Sequence, residues 1–288
     1  MSIKKYGLKG MFLIGLIALL IQGFTKFDLK PKEKFIGLQL YSVRDEMKSD
    51  PRGTVAKVGE MGYKFVETAG YSDGKFYGMT PAEFKELCET SGMKFLGSHT
   101  GQNVPTLENW DNTMAWWDIA IEAHDQAGVK WIVQPWMDEV GYESLEGLKQ
   151  YINYFNAVGE KCKKKGIKFG YHNHDKEFTT EFEGKPVYDW MLELTEPENV
   201  MFQLDLYWID QGGKDALVYF DKYPERFMLW HIKDKEELGG SGKMNFNAIF
   251  AKKKKAGMKY GIVEVEEYNF EPMVSVKKSL DYMETTNF

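Results

Sequence analysis

Short apolar runs alternate with longer, mixed segments through nearly the whole chain. Runs at 35–41, 64–68, 93–98, 129–134, 167–173, 200–205, 227–231 and 260–265 predict strands. The segments between them predict helices at 51–61, 80–91, 110–127, 144–165, 187–195, 214–222, 245–256 and 273–283. Thr80-Pro81-Ala82-Glu83 reads as an N-cap, a proline at the first helical position and a capping-box acid. Gly62, Gly92, Gly128, Gly166 and Gly257 fall where helices stop and strands begin. Eight such units imply a parallel sheet, and eight parallel strands close a barrel. The expectation is α/β, a single-domain (β/α)8 TIM barrel over 35–285. A doubly wound open sheet is the alternative, but no Gly-x-Gly-x-x-Gly follows the first strand.

Barrel active sites lie at the C-terminal ends of the strands. Side chains alternate along a strand, so His172 and His174, in Gly170-Tyr171-His172-Asn173-His174-Asp175, leave the fifth strand on one face. On the sixth strand Gln203 pairs in phase with Asp205, on the seventh Leu229 with His231, and on the eighth Ile262 with Glu264 and Glu266. Four polar groups buried in a barrel mouth are costly unless paired, and one cation pairs them all. The expected metal set is His172 or His174, Asp205, His231, and Glu264 or Glu266. Gln39 and Tyr41, Glu67, His99, and Gln134 and Trp136 end the first four strands, while Trp208 follows Asp205 and Lys233 follows His231. Polar groups beside flat aromatic faces suit a small-molecule sugar or polyol. The expected substrate-binding residues are Gln39, Tyr41, Glu67, His99, Trp136, His174, Trp208 and Glu266. His124, inside a helix, is expected to be structural.

Residues 1–24 stand apart from this pattern. Lys4, Lys5 and Lys9 precede an apolar run over 11–21, a basic region and a core of signal-peptide length, shorter than a membrane span. An exported, periplasmic protein is expected, cut near 23–26 and with no stable membrane span afterwards; a retained N-terminal anchor is the alternative. The formal charge of −6 becomes −9 once the three leader lysines leave, which argues against a nucleic-acid partner. Cys88 and Cys162 are too few for a disulfide framework and read as small buried apolar residues.

The segments Gly-Leu-Gln-Leu-Tyr-Ser-Val-Arg (37–44), Tyr-His-Asn-His-Asp-Lys-Glu-Phe (171–178), Gln-Leu-Asp-Leu-Tyr-Trp (203–208), His-Ile-Lys-Asp (231–234) and Ile-Val-Glu-Val-Glu (262–266) resemble the sugar phosphate isomerase/epimerase family. That family belongs to the xylose isomerase-like barrel superfamily. The resemblance implies one divalent metal ion (manganese, cobalt, zinc or magnesium) held by a Glu, Asp, His, Glu set from strands five to eight. The matching positions are His172, Asp205, His231 and Glu264, so the fifth-strand position departs from the pattern. Superfamily epimerases move protons with two glutamates; here Glu264 is one, and His172, His174 or Lys233 would have to serve as the second group. The implied activity is a metal-dependent sugar or keto-sugar isomerase or epimerase that abstracts a proton next to a carbonyl through an enediolate. Alternatives are a lyase or hydratase acting on 3-keto-glycosides or inososes by the same enolisation, a metal-dependent hydrolase, and a non-catalytic carbohydrate-binding barrel.

Overall fold

A computed structural model of the protein describes residues 34–288. The leader expected over 1–24 lies outside the described residues. Eight parallel strands close a ring: β1 Ile36–Gln39, β2 Phe65–Thr68, β3 Lys94–His99, β4 Trp131–Gln134, β5 Lys168–His172, β6 Val200–Asp205, β7 Leu229–Ile232 and β8 Tyr260–Val263. The order is β1-β8-β7-β6-β5-β4-β3-β2, with β1 hydrogen-bonded to both β2 and β8. The principal helices are α1 Pro51–Met61, α2 Pro81–Thr90, α3 Trp110–Ala127, α4 Leu145–Lys164, α5 Val187–Leu194, α6 Ala216–Lys222, α7 Phe246–Ala251 and α8 Pro272–Thr285. Among the described residues no helix is long and apolar enough to cross a membrane.

Local chemistry sets several boundaries. Thr80 and Glu83 form the reciprocal capping box at the start of α2. All five punctuating glycines sit at positive φ, which L side chains rarely adopt. β1 stops at Gln39 because its side chain accepts a bond from the Tyr41 N–H (3.1 Å) and caps a 3-10 turn over Leu40–Val43. Tyr41 thereby leaves the strand and stands 43% exposed at the mouth. The helix expected over 245–256 is two pieces, Phe246–Ala251 and Lys253–Ala256. Two hairpins were not anticipated: Tyr71–Ser72 with Lys75–Phe76, and Glu181–Phe182 with Lys185–Pro186. Their turns, Asp73-Gly74 and Glu183-Gly184, have both residues at positive φ, as two-residue hairpins require.

The main apolar core lies between the sheet and the helices. A second, smaller cluster fills the barrel bottom: Phe65, Leu96, Trp131, Val133, Met201, Leu229 and Ile262. Gly97 makes room for it, since a Cβ there would overlap the Trp131 indole. Pairing slips by one residue between β2 and β3, where Val66 faces Phe95 but Glu67 faces Gly97. This bulge changes the phase of β3. Strict alternation would put Ser98 inside with Leu96; the slip instead brings both Leu96 and His99 into the barrel.

Candidate functional site

Two residues above the apolar floor, the same strands turn polar. Glu67 follows Phe65, Gln203 follows Met201, His231 follows Leu229 and Glu264 follows Ile262. His172, Asp205, His231 and Glu264 each offer a ligand atom, and all four atoms lie within 4.8 Å of one another. All four residues are buried. His172 Nε2 stands 4.0 Å from Asp205 Oδ2, and His231 Nδ1 stands 3.0 Å from Glu264 Oε2. Four of the five histidines of the chain converge here, with His99 stacked on His231 at 5.1 Å and His174 edge-on to His172 at 5.0 Å.

Asp205 ends β6 and caps the helix Leu206–Gln211, its Oδ1 accepting from the Tyr207 and Trp208 N–H groups (2.9 and 2.8 Å). The Asn173 side chain brackets its backbone by accepting the Asp205 N–H (3.0 Å). Asp205 Oδ2 is left buried with no hydrogen-bond partner among the described residues. Burial pushes this carboxyl up to about 7, with Lys233 pulling it down and Glu264 adding to the rise. Such an oxygen calls for a cation. Two imidazoles and two carboxylates converging on it fit a single divalent ion.

The electrostatics around these groups are polarised. Burial alone would raise the Glu264 carboxyl, but His231 and Lys233 outweigh it and hold it well below the usual range. Burial works against charge on His231 as well, yet Glu264 and Glu67 push it up to about 10. His172 is driven well below its ordinary value, first by burial and then by the neighbouring histidines, which keeps it neutral. Lys233, almost fully buried, pairs with Glu266 and lies 3.5 Å from Glu264; those acids and Asp205 overcome burial and hold it protonated.

A pocket of about 300 Å³ opens above, lined by Tyr41, Ala69, His99, Pro135, Trp136, His172, His174, Glu264 and Glu266. Seven residues expected from the sequence therefore share one wall system. Four others expected at the mouth lie elsewhere. Gln39 and Glu67 are fully buried below the pocket, above the apolar layer, and hydrogen-bonded to each other (2.9 Å). Trp208 packs behind His174, with Lys233 Nζ 4.8 Å from its ring centre. Gln134, expected at the mouth, points the other way, because Trp131 and Val133 take the inward phase of β4. It ties down Gln102 and Trp136 by their carbonyls (2.8 and 2.9 Å). His172, which ends β5, is in the four-residue group, and His174, two residues past the strand, is on the pocket wall.

Two groups carry roles that residue type alone did not reveal. Glu177 is buried and accepts from the His174 N–H (2.8 Å) and the Tyr171 and Tyr142 hydroxyls (2.5 and 2.6 Å), fixing the turn that presents His174. Its signal was its place three residues after His174. Gln203 was in phase with Asp205 but was not singled out; it bonds His99 and His172 through one oxygen (2.7 and 3.0 Å). His124 is structural, buried and held by Ala120 O (2.6 Å) and Thr100 Oγ1 (3.3 Å). Cys88 and Cys162 are free and buried.

Residues 55–286 match the family model of the xylose isomerase-like TIM barrel. A crystal structure of a sugar phosphate isomerase/epimerase from Parabacteroides distasonis ATCC 8503 is 32% identical, with a TM-score of 0.82 over 88% of this chain and 99% of that one. A second from the same organism is 31% identical, with a TM-score of 0.81 over 89% and 96%. D-psicose 3-epimerase from Clostridium cellulolyticum H10 shares the fold at 14% identity, with a TM-score of 0.69 over 87% and 98%. No curated protein matches the sequence significantly. The chain belongs to the sugar phosphate isomerase/epimerase family of xylose isomerase-like TIM barrels, and is an isomerase/epimerase-type enzyme.

Proposed function

We propose that the protein isomerises or epimerises an unphosphorylated sugar or keto-sugar by moving a proton next to a carbonyl, with one divalent ion held by His172, Asp205, His231 and Glu264. The observation that carries this is the buried, unpartnered Asp205 Oδ2 within a four-ligand group, opening into a pocket rimmed by Tyr41 and Trp136. The ion would supply Lewis acidity to the substrate carbonyl and acidify the adjacent C–H.

The chain's own residues do the rest. Glu264 is an anion at neutral pH, because His231 and Lys233 hold it so, and it lies on the pocket wall. It takes the proton from carbon, leaving an enediolate. Its low proton affinity makes it a weak base, so the reaction depends on an acidified C–H. His172 and His174 line the pocket from β5, several strands round the ring from Glu264. A group there returns a proton to the other face of the same carbon for epimerisation; delivery by Glu264 to the former carbonyl carbon, with the hydroxyl proton passing from one enediolate oxygen to the other, gives isomerisation. Lys233 stays protonated and steadies the charge on Glu264 and Glu266. Tyr41 and Trp136 stack on C–H faces of the sugar, and His99 and Glu266 bond its hydroxyls.

Absence of phosphate from the substrate has two supports. Among the described residues the pocket lining contains no lysine or arginine, and two of its residues are glutamates. A leader over 1–24 would also carry the barrel out of the compartment where sugar phosphates are made, into the periplasm. D-psicose 3-epimerase, a protein of the same fold, has been solved with D-tagatose, a free ketohexose.

The test is a panel of free ketohexoses, 3-keto-glycosides and inososes incubated with the manganese-loaded protein in deuterated water. Deuterium at a carbon next to the carbonyl, in substrate or product, is the expected result. Turnover without carbon-bound deuterium, or no turnover across the panel, counts against proton abstraction.

A further inference from the structure

We infer that Glu67 and Gln203 form one positioning platform that sets which ring nitrogen each imidazole presents to the metal: Nδ1 of His231 and Nε2 of His172. The inference rests on the metal-site proposal above.

Donors and acceptors around Glu67 fix these orientations. Five side chains reach Glu67: Trp131, Gln39, Gln203, His231 and, at 3.2 Å, His99. The Trp131 indole can only donate, and its Nε1 is 2.5 Å from Glu67 Oε2. Gln39 is oriented by its own oxygen, which accepts the Tyr41 N–H, so its Nε2 donates to Glu67 Oε1 (2.9 Å). A carboxylate surrounded this way accepts on both oxygens. The Gln203 Nε2 group, 3.0 Å from each of them, must therefore be the amide nitrogen, and its oxygen must face away. That oxygen lies 3.0 Å from His172 Nδ1 and 2.7 Å from His99 Nε2, so both nitrogens carry protons. His172 Nε2, on the Asp205 Oδ2 side, is left with its lone pair free for a metal.

The same carboxylate acts directly on the other ring. His231 Nε2 is 2.8 Å from Glu67 Oε1 and donates to it. Its Nδ1, beside Glu264 Oε2, is then the ligand atom. This is a carboxylate–histidine–metal arrangement, in which a ligand's second nitrogen is fixed from behind. Here one carboxylate governs two ligands, one by contact and one through an amide. Neither Glu67 nor Gln203 lines the pocket, so both are positioning residues. Their polarity is otherwise unexplained in a barrel whose next layer down is wholly apolar.

The direct test uses 15N-histidine-labelled protein, metal-free and with one equivalent of zinc. Long-range proton–nitrogen correlation reads which nitrogen of each of the five rings is protonated and which is metal-bound. The zinc form should show His231 protonated at Nε2 and ligated at Nδ1, and His172 protonated at Nδ1 and ligated at Nε2. The opposite assignment in either ring, with zinc bound, overturns the platform and leaves the metal site standing. No zinc uptake by the wild-type protein overturns both. Glu67→Gln puts an amide among donors and should lower zinc affinity ~10–100-fold and mix the His231 tautomers. Unchanged affinity and tautomers in that variant also overturn the inference. If the variant does not fold, the wild-type spectrum decides alone. Ile262→Ala, in the apolar layer, is the control: it should cost stability without altering either tautomer.

Discussion

The bottom and the mouth of this barrel are built by the same strands, two residues apart, and they obey opposite rules. At the bottom, Phe65, Met201, Leu229 and Ile262 fill space against Trp131, and what matters there is volume. At the mouth, Glu67, Gln203, His231 and Glu264 are equally buried, but each is held by hydrogen bonds and charge. The lower layer should therefore be replaceable by shape, and the upper one only by residues of the same donors, acceptors and charge. The mouth also contains a liability: Asp205 is buried with one oxygen unpartnered. A site that needs a cation carries instability without one.

The largest expected effect is at the mouth. Glu264→Gln keeps size and one ligand oxygen but loses basicity, and should cut turnover ~10²–10⁴-fold on a substrate found by the deuterium screen. Circular dichroism should show the fold intact; near wild-type turnover would remove Glu264 as the base. Two residues down the same strand, Ile262→Ala should cost ~2–5 kcal/mol in denaturant unfolding through the cavity it leaves. Zinc affinity of the folded variant should stay within about threefold of wild type. A large loss of affinity would mean that the two layers are not separable.

Asp205→Asn should invert the usual trade. Asparagine still caps the Leu206–Gln211 helix, but the buried charge is gone. The Asp205 carboxyl is raised to about 7 in the fold, so the stability tied to its protonated form is lost as pH rises through 7. Above that pH the metal-free variant should be more stable than wild type by roughly 0.5–2 kcal/mol, while zinc binding collapses. A less stable metal-free variant at pH 8 would show that Asp205 is already satisfied.

Protons should also compete with the metal. His231 is raised to about 10, so its contribution to metal-free stability is complete below 6.5 and lost as pH rises through 10. Zinc must displace one of its protons, and affinity should climb roughly tenfold per pH unit between about 6.5 and 10. Titrations at three pH values would measure the slope; a flat profile would remove His231 from the ligand set. The smallest effect belongs to His124→Gln. His124 is as buried as His231, but burial among Tyr71 and Phe76 lowers it to about 4 and no carboxylate faces it. Zinc affinity should not change.

Much of this was legible in the chain. Eight strand–helix units, five of them punctuated by glycine, imply the barrel, and period-two alternation puts His172, Asp205, His231 and Glu264 on the inward phase. The hairpins at Asp73-Gly74 and Glu183-Gly184 were missed although the first is a strong turn dipeptide, because two-residue strands have no periodicity to detect. Gln39 and Glu67 were read as pocket residues for a similar reason: alternation tells inward from outward but says nothing of height along the barrel axis. Gln134 was placed at the mouth by its position at a strand end, whereas the phase of β4 is set by Trp131 and Val133.

The sequence alone determined the number of units, the inward phase of most strands and the chemical types that meet, since these follow from local periodicity and residue identity. Tertiary structure alone decided which groups touch. The slip opposite Leu96 brings His99 inside, the stagger of the strands sinks Glu67 below the pocket, and ring closure sets β8 beside β1. Those are relations between residues far apart in the chain: Ile36 pairs with Gly261 across the closure, and the bond from His231 to Glu67 joins residues 164 positions apart. They depend on the register between neighbouring strands, a quantity that no single segment of the chain contains.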